Sequence, residues 1–131
     1  MGELYSGFTQ AFNLILSGDT SLAQIVVLSM QVSSVALVLG ALIGVPFGAW
    51  LGLTRFRGQG LALALIYTGM GLPPVVVGLF VYLLLSQQGP LGRLGWLFTP
   101  NAMILAQTII SMPLIAGFTL AAVISVDPEL R

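Results

Sequence analysis

The chain has 131 residues, 57% of them apolar, with four basic and four acidic side chains and a mean hydropathy of +1.05. Such a composition belongs to a membrane protein, not to a soluble globule. Cys, His and Lys are absent, which excludes disulfides, thiol chemistry and the usual transition-metal sites, and a zero net charge gives no footing for nucleic acid.

The charges, Glu3, Asp19, Arg55, Arg57, Arg93, Asp127, Glu129 and Arg131, all fall between or outside the apolar runs. Residues 3–17 place Leu4, Phe8, Ala11, Phe12 and Ile15 at helical spacing, with Thr9, Gln10 and Asn13 elsewhere on the wheel. A helix of about fifteen residues is roughly 22 Å long, too short to span a bilayer. The first basic residue is Arg55, so a signal peptide is rejected, and an amphipathic segment lying along the interface is expected over residues 1–20. Ser17-Gly-Asp-Thr-Ser21 reads as a turn, and Ser21-x-x-Gln24 as a capping box that opens the next helix.

A first span is expected over about 21–53. Ser29 and Ser33, then Ala36, Gly40, Gly44, Gly48 and Gly52, form a strip of small residues at fourfold spacing. Such strips let helix backbones approach closely where lipid gives no hydrophobic drive to associate, so a helix–helix seam is expected here. Pro46 predicts a bend, and Trp50 an interface anchor. After the hydrophilic loop 54–60, a second span is expected over 61–86, then a loop over 87–99. Thr99-Pro100 supplies an N-cap and a first-turn proline for a third span over 102–126. That span carries Gln107, Ser111 and Pro113, followed by a second small strip, Gly117, Ala121 and Ser125. Interhelical hydrogen bonding is the common role of mid-membrane Gln31, Ser33, Gln107 and Ser111, with substrate contact open for Gln107 and Ser111.

The second span holds the stretch on which the rest turns, Thr68-Gly-Met-Gly-Leu-Pro-Pro-Val-Val-Val-Gly78. Pro73 and Pro74 each remove an amide donor, and each pushes its predecessor out of helical geometry. A helix break is therefore expected near mid-membrane, where lipid does not satisfy backbone groups. Two readings stand. One is a plain kink, with Thr68 and neighbouring helices serving the freed carbonyls. The other is a new half-helix whose free amides at Val75 to Val77 attract an anion in transit. On that reading Thr68, Gly69, Met70, Gly71, Pro73, Pro74, Val75, Gln107, Ser111 and Pro113 border a translocation path.

No expected span carries a charged residue, whereas ion-coupled transporters use an intramembrane ionisable group. Transport would therefore draw its energy from a partner. Neither a phosphate loop nor a catalytic triad nor a carboxylate pair is present, so no enzyme activity and no cofactor are expected. Arginine counting, two in loop 54–60 and one after the third span against one in loop 87–99, places the N-terminus outside and residues 54–60 and 127–131 in the cytoplasm. Asp127-Pro128-Glu129-Leu130-Arg131 reads as the first turn of a helix, which predicts a piece of a longer protein.

Ser86-x-x-Gly89-Pro90-Leu91-Gly92, Leu97-Phe98-Thr99-Pro100, Ala106-Gln107 and Asp127-Pro128-Glu129-Leu130-Arg131 occur in the order found in molybdate/tungstate ABC importer permeases. Met70-Gly-Leu-Pro-Pro-Val-Val-Val-Gly78 with Val81-Tyr-Leu-Leu-Leu85 looks particularly like the tungstate permeases, and Leu14-Ile-Leu-Ser-Gly-Asp19 fits the same group. The resemblance implies an all-α bundle of the type I ABC importer permease kind. It also implies a second permease subunit, a dimer of cytoplasmic ATP-binding subunits, an extracytoplasmic oxyanion-binding protein and a prokaryotic inner membrane. Asp127, Pro128, Glu129 and Arg131 match the approach to that family's coupling helix, whose Glu-Ala-Ala…Gly segment would follow Arg131. The alternatives are a permease for another anion such as sulfate, or a non-transporting membrane scaffold.

Overall fold

The computed structural model describes residues 1–126 and forms two compact units, residues 1–31 and the remainder. In the first, α1 (Gly2–Ser17) buries no residue. It ends on Gly18, whose positive φ of 64° lets its amide reach the Leu14 carbonyl. The next helix, α2 (Thr20–Leu53), opens two residues earlier than the Ser21-x-x-Gln24 box predicts. Asp19 is the capping residue: its Oδ1 accepts from the Ser21 amide at 2.8 Å and its carbonyl from the Ala23 amide at 3.0 Å. A carboxylate serves two duties there, as acceptor for an orphan amide and as a negative charge at the positive helix end.

In the second unit the chain continues as α2, then α3 (Gln59–Met70), α4 (Pro74–Leu85), a single 3-10 turn (Gly92–Leu94) and α5 (Pro100–Ser125). Among the described residues there is no strand. Two helices, α2 and α5, are long and apolar enough to cross a membrane. The run expected as a second span carries the expected break and is two short helices bent by 100°, the geometry of a broken span or of a re-entrant turn.

The fourth-residue glycines of α2 face α5. A Cβ on Gly44 would meet the Met112 carbonyl oxygen at 2.9 Å and Ile115 Cβ at 3.1 Å, and one on Gly52 would meet Val123 Cγ1 at 2.7 Å. Gly40 lies against Ser111, and Gly48 against the Ala116 backbone. The buried line is Val32, Ala36, Gly40, Gly44 and Gly48, and Ser33 lies off it, exposed. This is a seam closed by removing side chains, the arrangement that dispersion forces favour in lipid. Past Leu53, the Gln59 Nε2 donates to the carbonyls of Leu51 at 2.9 Å and Thr54 at 3.1 Å, which serves the otherwise open C-terminal end of α2.

Candidate functional site

The candidate site is the interruption at 71–73 and the part of α5 beside it. At the end of α3 the Gly71 amide donates to the carbonyls of Tyr67 and Thr68, at 3.2 and 3.1 Å, and the Leu72 amide to Gly69 at 3.3 Å. The two three-residue closures, onto Thr68 and Gly69, tighten the last turn, and the second occupies the Gly69 carbonyl that the prolines would otherwise orphan. Pro73 is extended, with φ −62° and ψ 135°, as a residue before proline must be, and Pro74 is the first residue of α4.

The new helix does not present three free amides. Val76 and Val77 both donate to the Pro73 carbonyl, at 3.0 and 3.3 Å, so the expectation for Val75 to Val77 is corrected to Val75 alone. The physical reason is local. An extended Pro73 turns its carbonyl over the first turn of α4, where it takes the third and fourth amides, while the proline rings have none to give. Thr68 is exposed, and its hydroxyl serves no carbonyl among the described residues. Val75 is 82% exposed, and Gly71, Leu72, Pro73 and Pro74 are exposed with it.

The packing around this break divides cleanly. Below it, Ile66 of α3 joins Leu51, Ala116 and Leu120 in one buried cluster, flanked by Ala62, Leu63 and Met70. Above it, Val77, Val81 and Leu85 of α4 form another, covered by Ala102, Leu105, Ala106, Ile109 and Ile110 of α5 together with Trp96 and Leu97. One cluster uses α5 only after Pro113 and the other only before it. Pro113 itself sits against Gly69, where an added Cβ would come within 2.8 Å of the proline Cβ. Pro46 of α2 lies between Gly44, which faces Met112 and Ile115, and Gly48, which faces Ala116. Prolines of α2 and α5 thus lie near the break, although both helices run on through them, and the two cores lie on opposite sides of it.

The other sequence-derived residues are distributed around this break. Met70 lies over Gly117, which is buried, whereas Ala121 is exposed, so the second small strip contributes its first residue only. Ser111 faces Gly40, and its hydroxyl donates to the Thr108 carbonyl at 3.3 Å, so its immediate surroundings are the α2 seam. Gln107 is half-buried, and its side chain has no hydrogen-bond partner among the described residues. Between Leu72, Val76, Val77, Phe80 and Ile109 lies an apolar cleft of about 290 Å³, which no motif or spacing predicts. Thr99 holds the N-cap position of α5, yet its hydroxyl turns back to the Trp96 carbonyl. Asp127, Pro128, Glu129 and Arg131 lie outside the described residues. No cluster of metal-binding side chains occurs among the described residues.

Apolar helices, a seam of glycines and a proline-broken hairpin of half-helices define an all-α membrane protein. Its relatives specify the kind. The chain is 46% identical over 112 residues to a probable anion ABC transporter permease protein of Haloferax volcanii, covering 86% of this chain and 48% of that one. It is 40% identical over 119 residues to the tungstate uptake system permease protein TupB of Peptoclostridium acidaminophilum, covering 91% and 52%. To the molybdenum transport system permease protein ModB of Escherichia coli K12 it is 36% identical over 120 residues, covering 82% and 50%. The chain is a homologue of the tungstate and molybdenum ABC transporter permeases, and it spans about half the length of the curated relatives it matches. No family model matches it, and no solved structure gives a significant match.

Proposed function

We propose that the chain forms part of the membrane-embedded permease of an ATP-driven importer for an oxyanion, tungstate or the closely similar molybdate. The observation that carries this reading is its 38–40% identity to two tungstate permeases across most of its own length. The lack of any charged residue within α2, α3, α4 and α5 supports it, because a conduit without an intramembrane ionisable group needs an external motor. On this reading the motor is a pair of cytoplasmic ATP-binding subunits, a second permease subunit completes the channel, and an extracytoplasmic binding protein supplies the ion. The permease itself holds no ATPase site. The N-terminus lies outside, and residues 54–60 and 127–131 face the cytoplasm, with Asp127 to Arg131 leading into the contact with the motor.

The broken helix is the moving part of this proposal. Each half-helix is bound to its own half of α5, so the two cores can tilt against one another about Pro113, Gly69 and the 71–73 link without either core repacking. Packed cores are bistable and do not deform continuously, which concentrates movement at such links. Thr68 to Val75 border the path, and the single free amide of Val75 gives a passing dianion weak attraction without a trap. The reading is tested by tungsten accumulation in cells lacking their own oxyanion permeases. The permease is supplied together with its ATP-binding and binding-protein partners, and molybdate and sulfate are offered as competitors. Accumulation should exceed the empty-vector level, depend on an intact ATP-binding subunit, and fall with molybdate more than with sulfate. Accumulation no greater than the vector control would refute the proposal.

A further inference from the structure

The end of α2 carries a second built feature, independent of the transport reading. Phe47, Trp50 and Phe56 form a continuous stack, with ring centroids 6.1 Å apart for the first pair and 4.8 Å for the second. The chain reverses at Gly58, at a φ of 97° that other residues rarely adopt. The loop is pinned from both ends. The Thr54 hydroxyl donates to the Trp50 carbonyl, and the Gln59 amide donates to Leu51 and Thr54. Phe56 is thereby fixed over Trp50, and Arg55 and Arg57, on either side of it in sequence, are exposed with no ion-pair partner among the described residues.

We infer that this loop binds the headgroup of an anionic phospholipid, the two guanidinium groups taking the negative headgroup and the aromatic stack lying just below it. Three observations favour a lipid. At 34 residues, α2 is about 51 Å long, well beyond a hydrocarbon core of roughly 30 Å, so one end must reach the headgroup layer. Exposed Val45, Trp50 and Leu53 bring an apolar face up to the arginines, giving an acyl chain a surface to follow. Aromatic rings beside arginine at a helix end match the boundary between hydrocarbon and headgroups. An acidic protein surface would satisfy the charges and leave that apolar face uncovered.

The test uses Trp50 as the reporter. The full chain with Trp96→Phe, which leaves Trp50 as its one tryptophan, is reconstituted in phosphatidylcholine vesicles. These contain ten mole per cent of brominated phosphatidylglycerol or, in parallel, of brominated phosphatidylcholine. The arginine pair should enrich the anionic lipid beside Trp50 on the order of tenfold, giving markedly stronger quenching by brominated phosphatidylglycerol. Arg55→Gln with Arg57→Gln should bring the two lipids level. Native mass spectrometry of the unaltered chain, with both tryptophans, should show retained phosphatidylglycerol that the double substitution removes. Equal quenching by the two lipids before substitution, or a preference that survives it, overturns the assignment. If no lipid preference exists and the double variant instead fails to engage an ATP-binding subunit, the arginines serve a protein contact and the lipid site is refuted.

Discussion

The α2–α5 seam makes its sharpest prediction at Gly48. A Cβ there falls against the Ala116 carbonyl oxygen, with Ala116 Cα and carbonyl carbon each 3.0 Å away, and all of these are backbone atoms that cannot rotate aside. Relief requires α2 and α5 to part by on the order of 1 Å over a turn, which loosens dispersion contacts along the seam. Overpacking costs about 1–3 kcal/mol, and against backbone the upper part of that range, about 2–3, applies; the better helix propensity of alanine returns about 1, so Gly48→Ala should be destabilising by about 1–2 kcal/mol. Two other glycines serve as internal controls. At Gly40 the nearest atom is the Ser111 hydroxyl, which can turn away with loss of its bond to the Thr108 carbonyl, so Gly40→Ala should be nearly neutral. At Gly78 nothing lies within 4 Å, and Gly78→Ala should gain about 0.5–1 kcal/mol from backbone entropy. In detergent, circular-dichroism melting of the three variants should rank Gly78→Ala above wild type, Gly40→Ala beside it, and Gly48→Ala lower by roughly 3–10 °C. Gly48→Ala melting at or above wild type would show that the helices are not held at backbone contact, and the seam would be wrong.

Two further substitutions test the loop and the break. Gln59→Ala removes both bonds that close the end of α2 and should cost about 1–2 kcal/mol, read as a lowered melting temperature with faster amide exchange over residues 54–61. Replacing Pro73 and Pro74 together by alanine lets α3 and α4 join toward one straight helix. Spin labels at positions 65 and 79 should then move apart, and tungsten uptake by the assembled transporter should fall; a straightened helix with full uptake would separate the break from transport.

Much of the helical layout was legible because its signals are backbone signals. The glycine strip of α2, the proline at the start of α5 and the proline pair at 73–74 each act through geometry that any neighbour would have to respect. Where side chains had alternatives, sequence reasoning went astray. Asp19 and Ser21 are both good caps, and the choice fell to Asp19, whose charge adds to its geometry. Thr99 had the Trp96 carbonyl within reach and took it in place of an amide. Ala121 fits a helical strip as well as Gly117 does, yet which small residue is covered depends on where Met70 and Ile66 arrive from α3. The 100° angle and the division of the core were invisible, since both depend on which half of α5 each short helix meets.

That division does not by itself account for two adjacent prolines in a place so costly to a helix. An unbroken helix over residues 59–85 would cross α5 along a single line and could present one continuous stripe to it. By spacing the residues could form it, since Ala62, Ile66, Met70, Val77, Val81 and Leu85 recur at steps of four, four, seven, four and four, within about 140° of one helix face. Ile66, Ala62 and Met70 address the α5 face that carries Ala116, Gly117 and Leu120, while Val77, Val81 and Leu85 address the one that carries Ala102, Ala106 and Ile109. Residues 116 and 120 follow 109 by seven and eleven positions, about two and three turns, so the faces differ in height far more than in direction. The change of direction between α3 and α4 therefore does not separate two faces; it sets the angle at which each half of the stripe meets its own stretch of α5. The same change leaves the link residues 71–74 exposed and without a core of their own. In lipid such a link is stable only beside protein or water, which is the condition a translocation path supplies and a solid helix pair does not. The break is thus made by the proline pair and not required by the core stripe, and the conduit reading assigns a use to the gap that it leaves.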